Sequence, residues 1–208
     1  MSSKREHRTE NDRTTSLSLL GRIRAADETA WERFVHIYMP LIESWCRRYA
    51  LQSTDVADIA QEVFAGVSKG IDSFRKEKPG DTFRGWLWTI TSRRIKDHYR
   101  RLDRQSPGAG GSDAQIAMQA IPEILPDDSS ADDLSGANSP VHRTLELIRI
   151  EFEDRTWKAF WSVAVDGRDP ADVAADLDMS RMAVYKAKSR VLQRLRSELE
   201  GLVELSDE

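Results

Sequence analysis

The stretch Asp169-Pro-Ala-Asp-Val-Ala-Ala-Asp-Leu-Asp-Met-Ser-Arg-Met-Ala-Val-Tyr-Lys-Ala-Lys-Ser-Arg190 decides the fold. Asp169-Pro170 is a strong helix start. The aspartate offers a side-chain oxygen to the unpaired amides of the first turn, and proline is pre-set for the first helical position. The short helix carries Val173, Ala174 and Leu177. Asp178-Met179-Ser180 is a three-residue turn, and a second helix runs from there to about Leu199. At about 100° per residue, Val184, Ala187, Val191 and Leu195 share one side and would pack on Val173, Leu177 and Trp161. Met182, Lys186, Ser189, Arg190 and Gln193 share the opposite side, and Arg181 sits in the first turn. Lys188 falls near the apolar side. Six cations and no acid occur over residues 180–196. Short helix, tight turn and long basic helix form a helix-turn-helix. An apolar back holds the second helix while donors on its front reach phosphates and base edges in a major groove. Arg181, Met182, Lys186, Ser189, Arg190 and Gln193 are the candidate contacts to duplex DNA. Charge alone would also fit a merely solvated basic helix, but the Asp-Pro helix and the turn weigh against that.

Working upstream, helical spacing over Leu145, Ile148 and Phe152 predicts a helix from about Thr144. Asp154 is the expected cap of the next, which holds Trp157, Phe160, Trp161 and Ala164 and stops at Gly167. Residues 143–202 thus read as one small helical domain, with 203–208 as a tail. Residues 103–142 read as a flexible linker. The 41 positions 102–142 hold four glycines, four prolines, six serines and seven acids against Arg104 alone, and Ile116–Leu125 is their only apolar part. Residues 16–102 return to helical spacing as a first small domain, and residues 1–15 read as a disordered N-terminus. Asp27 can cap a helix through Trp31, Phe34, Val35 and Tyr38, which Pro40 either kinks or restarts before Leu41, Ile42, Trp45 and Tyr49. Asp55 is the expected cap for Val56, Ile59, Ala60, Val63, Val67, Ile71 and Phe74. Arg75–Thr82, with Pro79-Gly80, reads as a loop, and a helix from Phe83 to about Arg101 follows. The fold class is therefore all-α, in two small helical domains.

Net charge is −4, which by itself argues against nucleic acid, but the charge is segregated. Residues 83–101 carry six cations against Asp97. Arg93, Lys96 and Arg100 fall on one stripe with Trp86 at its edge. Cations interleaved with rings suit single-stranded nucleic acid, where charges follow phosphates and rings stack on unpaired bases. Tryptophan in a small domain is more often core, so one of Trp86 and Trp88, not both, should be buried. In Asp58-Ile-Ala-Gln-Glu-Val-Phe64 the apolar side is Ile59, Ala60 and Val63. The outer side is Asp58, Gln61 and Glu62, which on chemistry alone is a solvated acidic face.

Other classes are disfavoured. No apolar run is long enough for a membrane span, and Met1–Thr15 lacks the apolar core of a secretory signal, so a cytoplasmic location is expected. The single cysteine, Cys46, has no disulfide partner and reads as a buried thiol. His7, His36, His98 and His142 show neither ligand spacing nor a partnered nucleophile. No Gly-rich phosphate loop occurs. No enzyme activity, metal or cofactor is expected.

Asp58-Ile-Ala-Gln-Glu-Val-Phe64, with Phe83-Arg-Gly-Trp-Leu-Trp-Thr-Ile90 through Tyr99-Arg-Arg101, resembles the second conserved region of bacterial sigma factors. Val173–Ser180 and Ala183–Leu195 resemble their fourth region. The match covers roughly 17–102 and 143–202, in the family's order, and the compact form resembles the extracytoplasmic-function group. The resemblance implies a dissociable promoter-recognition subunit. Asp58, Gln61 and Glu62 would dock on the clamp helices of the largest subunit of core RNA polymerase. Arg75, Trp86, Arg93, Lys96 and Arg100, on the Arg75–Thr82 loop and the helix after it, would recognise and open the minus-ten promoter element. The helix from Ser180 would read the minus-thirty-five element. The acidic linker would run near the RNA exit path, and an anti-sigma protein is a candidate further partner. Two features depart from the family pattern: Ser180-Arg-Met-Ala-Val-Tyr185 is bulkier than usual, and the linker is long. The alternative is a helix-turn-helix regulator acting without polymerase, which leaves 17–102 unassigned.

Overall fold

The computed structural model describes residues 18–75, 77, 81–105, 111–125 and 139–202. The N-terminal segment 1–15, the tail 203–208, most of the acidic stretch and part of the Arg75–Thr82 loop lie outside them. The described chain is all-α, with no strand. Its helices are α1 (Leu19–Arg24), α2 (Glu28–Arg47), α3 (Ser53–Gly70), α4 (Phe83–Gln105), α5 (Gly111–Ala120), α6 (Pro140–Ile148), α7 (Asp154–Ala164), α8 (Pro170–Asp176) and α9 (Arg181–Leu199). A single 3-10 turn, Arg149–Glu151, links α6 to α7.

Local chemistry sets most boundaries. Asp27 caps α2 by accepting from the Ala30 amide at 3.0 Å, and a hydrogen bond from Arg22 at 2.8 Å orients it. That partner and the Ala30 amide hold the Asp27 carboxyl below the usual carboxylate range. Pro40 lies inside α2, which runs through it without ending. Two expected caps are displaced. α3 starts after Gln52, three residues before its expected start, and Asp55 falls in its first turn. α7 starts after Glu153, and Asp154 is its first residue. Neither cap residue makes a side-chain cap bond, so the helices start where packing directs them, and the aspartates serve the helix dipole instead. The start of α4 is held by Thr82, whose hydroxyl accepts from the Gly85 amide at 2.9 Å.

α1 to α4 enclose a core of large side chains. Phe34, Tyr38, Trp45, Phe83 and Trp88 are all almost fully buried. Trp45 meets Trp88 edge to face at 5.3 Å, and Phe83 meets Phe34 and Phe74 the same way. Each such ring contributes roughly 1.5–3 kcal/mol through burial, with an increment for edge-to-face geometry. Cys46 lies in this core, where burial pushes its thiol up to about 12, Glu43 adding to the effect and Arg47 opposing it. Arg24 fastens α1 to the end of α3, donating to the Phe74 carbonyl at 2.7 Å and to the Ile71 carbonyl at 3.3 Å.

The C-terminal helices build two smaller clusters. Leu145, Ile148, Trp157 and Phe160 close on Val191, Leu195 and Leu199 of α9. Ala159, Val173 and Ala174 close on Val184 and Ala187. The apolar side read for α9 is thus its buried side, although Trp161 packs with the Val191 cluster and not with Val184. These helices also meet the first core. α6 packs on α2 and α9 on α1, and Leu202, just past α9, is buried among the first core's side chains. Gly201 makes the turn that allows this. Its φ is +81°, and an added Cβ would lie 2.9 Å from Leu20. A charge network closes the seam. Arg194 donates to Glu151 at 2.7 and 2.9 Å and to Glu198 at 2.7 Å, and Arg33 of α2 pairs with both acids at 3.5 and 3.3 Å.

The described part of the stretch read as a flexible linker is not featureless. Its described parts contain α5, which packs against α4, and Ile121 is buried in the first core with Leu125 packed beside it. The apolar run Ile116–Leu125 supplies the surface that docks. Pro107, Pro126 and most of the glycines and acids that gave the stretch its linker composition lie outside the described residues.

Candidate nucleic-acid interface and docking face

α4 divides its side chains by direction. Phe83, Leu87, Trp88, Thr91 and Ile95 face inward and are buried. Arg93 and Arg100 are exposed and Lys96 half-buried on the outer stripe. Arg93 and Lys96 make no ion pair among the described residues. Arg100 pairs with Asp97 at 2.9 Å. Of the two tryptophans Trp88 is the buried one, at 2% exposure. Trp86 is half-buried at the edge, its ring tilted against Phe74 at 5.1 Å and Phe83 at 5.5 Å. Part of Trp86 thus serves packing, and the remainder borders the cation stripe. Arg75 is exposed, but its guanidinium donates to the Asp72 and Phe74 carbonyls at 2.6 and 2.8 Å, which ties it to the end of α3.

On α3, Val56, Ile59, Ala60, Val63, Phe64 and Val67 are buried, which turns Asp58 and Gln61 outward into solvent. Glu62 is different. It is half-buried and accepts from Arg101 of α4 at 2.9 Å, with Arg94 at 3.9 Å. Of the three residues on the outer side of α3, two are free surface and one bridges to the basic helix. That bridge joins positions 39 apart in the chain, so α3 periodicity carried no sign of it.

On α9, Ser180 caps the helix by accepting from the Ala183 amide at 3.1 Å. The preceding turn carries Asp178 in a left-handed conformation, φ 48°, with Arg155 donating to its carbonyl. α8 starts as read, Asp169 accepting from the Ala171 amide at 2.7 Å and Pro170 in the first turn. Arg181, Met182, Lys186, Ser189, Arg190 and Gln193 are all exposed. None of these cations is ion-paired among the described residues. Arg194 instead points back into the seam. Burial would lower its pKa, but its bonds to Glu151 and Glu198 more than offset that and hold it above the ordinary arginine value. Sequence reasoning passed over Tyr185, which is 49% exposed next to Met182 at 63%. Its helical angle, close to that of Met182, was the available signal.

The chain can be placed by similarity. Residues 34–105 match the sigma-70 region 2 family, a span that contains α3, α4 and most of α2. RNA polymerase sigma factor CnrH of Cupriavidus metallidurans is 25% identical over 168 residues, covering 78% of this chain and 80% of that protein. The ECF RNA polymerase sigma-E factor of Escherichia coli K12 is 30% identical over 100 residues, covering 48% of this chain and 50% of that protein. The sigma-E factor of Salmonella typhimurium LT2 gives the same identity and coverage. The chain spans about half the length of these sigma-E relatives. Residues 34–105 thus match sigma-70 region 2, and the chain as a whole is similar to extracytoplasmic-function sigma factors.

Proposed function

We propose that this protein is a promoter-recognition subunit of RNA polymerase whose two basic helices act on different forms of DNA. The observation that carries this reading is the division of α4 within the region 2 match: an inward face of buried rings and an outward stripe of Arg93, Lys96 and Arg100 with Trp86 at its edge. Such a stripe tracks the phosphates of a separated strand while a ring edge meets unpaired bases. Opening of the minus-ten element is assigned to it, with Arg75 at the loop that precedes it. α8, the turn and α9 form a helix-turn-helix, and Arg181, Met182, Lys186, Ser189, Arg190 and Gln193 contact the minus-thirty-five element as duplex. A cytoplasmic site of action goes with this reading. Among the described residues no helix is long and apolar enough to cross a membrane.

Asp58, Gln61 and Glu62 are assigned to docking on the clamp helices of the largest polymerase subunit. Asp58 and Gln61 are the clean probes, because reversing Glu62 would set a third cation against Arg94 and Arg101. Asp58→Arg and Gln61→Ala are expected to weaken co-purification with core polymerase while leaving the circular dichroism spectrum and melting temperature unchanged. Undiminished co-purification of both variants would remove the docking assignment.

A further inference from the structure

The front of α9 carries a feature that phosphate binding does not use. Met182 is 63% and Tyr185 49% exposed, and cations flank them: Arg181 before, Lys186 after, Arg190 one turn further. A long side chain placed outward in the first two turns of a helix that docks in a groove is within reach of base edges. Such a helix gains from donors wherever it meets oxygen or nitrogen. Apolar groups gain only where the groove is apolar, and the one apolar group in a major groove is the thymine C5-methyl. Met182 and Tyr185 are three residues apart, so they are neighbours on the helix surface, about 4.5 Å apart along the axis. One base-pair step is about 3.4 Å along a strand. The two side chains therefore match one thymine or two adjacent ones. Methionine adapts its shape to a methyl group, and a tyrosine ring can lie against a second while its hydroxyl stays wet.

We infer that Met182 and Tyr185 set promoter specificity by packing on thymine methyl groups in the upstream element. This rests on the reading of α9 as a duplex-contacting helix. Neither side chain belongs to a buried cluster, so substitution there leaves folding intact.

The test uses holoenzyme reconstituted from core polymerase and the full chain, selected on a randomised promoter library. Wild type is expected to enrich thymine at one upstream position or two adjacent ones. Met182→Ala should lose one of these, and Met182→Leu should keep it. Tyr185→Ala should weaken the neighbouring position and Tyr185→Phe preserve it. Replacing the enriched thymine by deoxyuridine deletes the methyl group alone. That should lower open-complex formation by wild type about fourfold, the effect of one buried methyl-sized group, and leave Met182→Ala unaffected. Upstream enrichment without thymine overturns methyl reading but leaves duplex contact by α9 standing, as does equal sensitivity of wild type and Met182→Ala to deoxyuridine. No upstream enrichment at all overturns both. Should a variant fail to fold, the response of wild type to deoxyuridine still decides.

Discussion

The basic stretches of helices α4 and α9, residues 83–101 and 180–196, each carry six cations, yet the structure engages them differently. On α4 the cations nearest α3 are held by protein: Arg101 and Arg94 by Glu62, and Arg100 by Asp97. Arg84 stands over the Trp45 ring at 5.9 Å. Within residues 83–101, Arg93 and Lys96 face outward without an ion pair among the described residues. On α9 the division runs along the helix. Arg181, Lys186, Lys188 and Arg190, in its first half, have no such pair, whereas Arg194 is locked to Glu151 and Glu198. A count of positive charge would rank the two helices equal. Sorting each cation by its partner separates those that hold the fold from those left for a ligand.

The largest effect should come from the cation most deeply used by the fold. Arg194→Ala leaves Glu198, at 3% exposure, facing Arg33 alone, and loss of one partner from a buried pair is costly. It is expected to lower unfolding stability by about 3 kcal/mol in denaturant titration. A change within error would mean that the seam is not formed in the free protein.

Next come the unpaired front cations of α9. Lys186→Ala and Arg190→Ala should leave stability alone and reduce promoter use by about 1–3 kcal/mol where a base contact is lost, or weaken all sequences alike where a phosphate contact is lost. Core polymerase binding should survive. Arg93→Ala and Lys96→Ala on α4 should fail in another way, at strand opening, so that a template with a pre-melted bubble partly restores transcription. Rescue of Lys186→Ala but not Lys96→Ala would mean that the two helices carry each other's roles. The smallest effect is expected for Arg101→Ala. Its pair with Glu62 is solvent-exposed, and stability should fall by less than about 1 kcal/mol.

The starts of α8 and α9 and the buried side of α9 were legible because they depend on local chemistry: the Asp169-Pro170 start, the turn before Ser180, and the apolar row Val184, Ala187, Val191, Leu195. The inward and outward sides of α3 and α4 were legible for the same reason. Caps were less so, since α3 and α7 begin after residues that make no cap bond, where packing overrides the aspartate signal. α5 was missed because its polar sequence lacks an apolar stripe, and the burial of Ile121 depends on a surface built by distant residues. The seam was illegible in principle. Arg33, Glu151, Arg194 and Glu198 are ordinary surface types at separations that no periodicity connects, as are Glu62 and Arg101.

The central claim is tested most directly by run-off transcription with purified core polymerase, the full chain and fragments of the genome it comes from. The account predicts discrete transcripts that require both core polymerase and this protein, together with a stable complex of the two on gel filtration. A chain that shifts duplex DNA alone at physiological salt, forms no complex with core polymerase and yields no dependent transcript would contradict it.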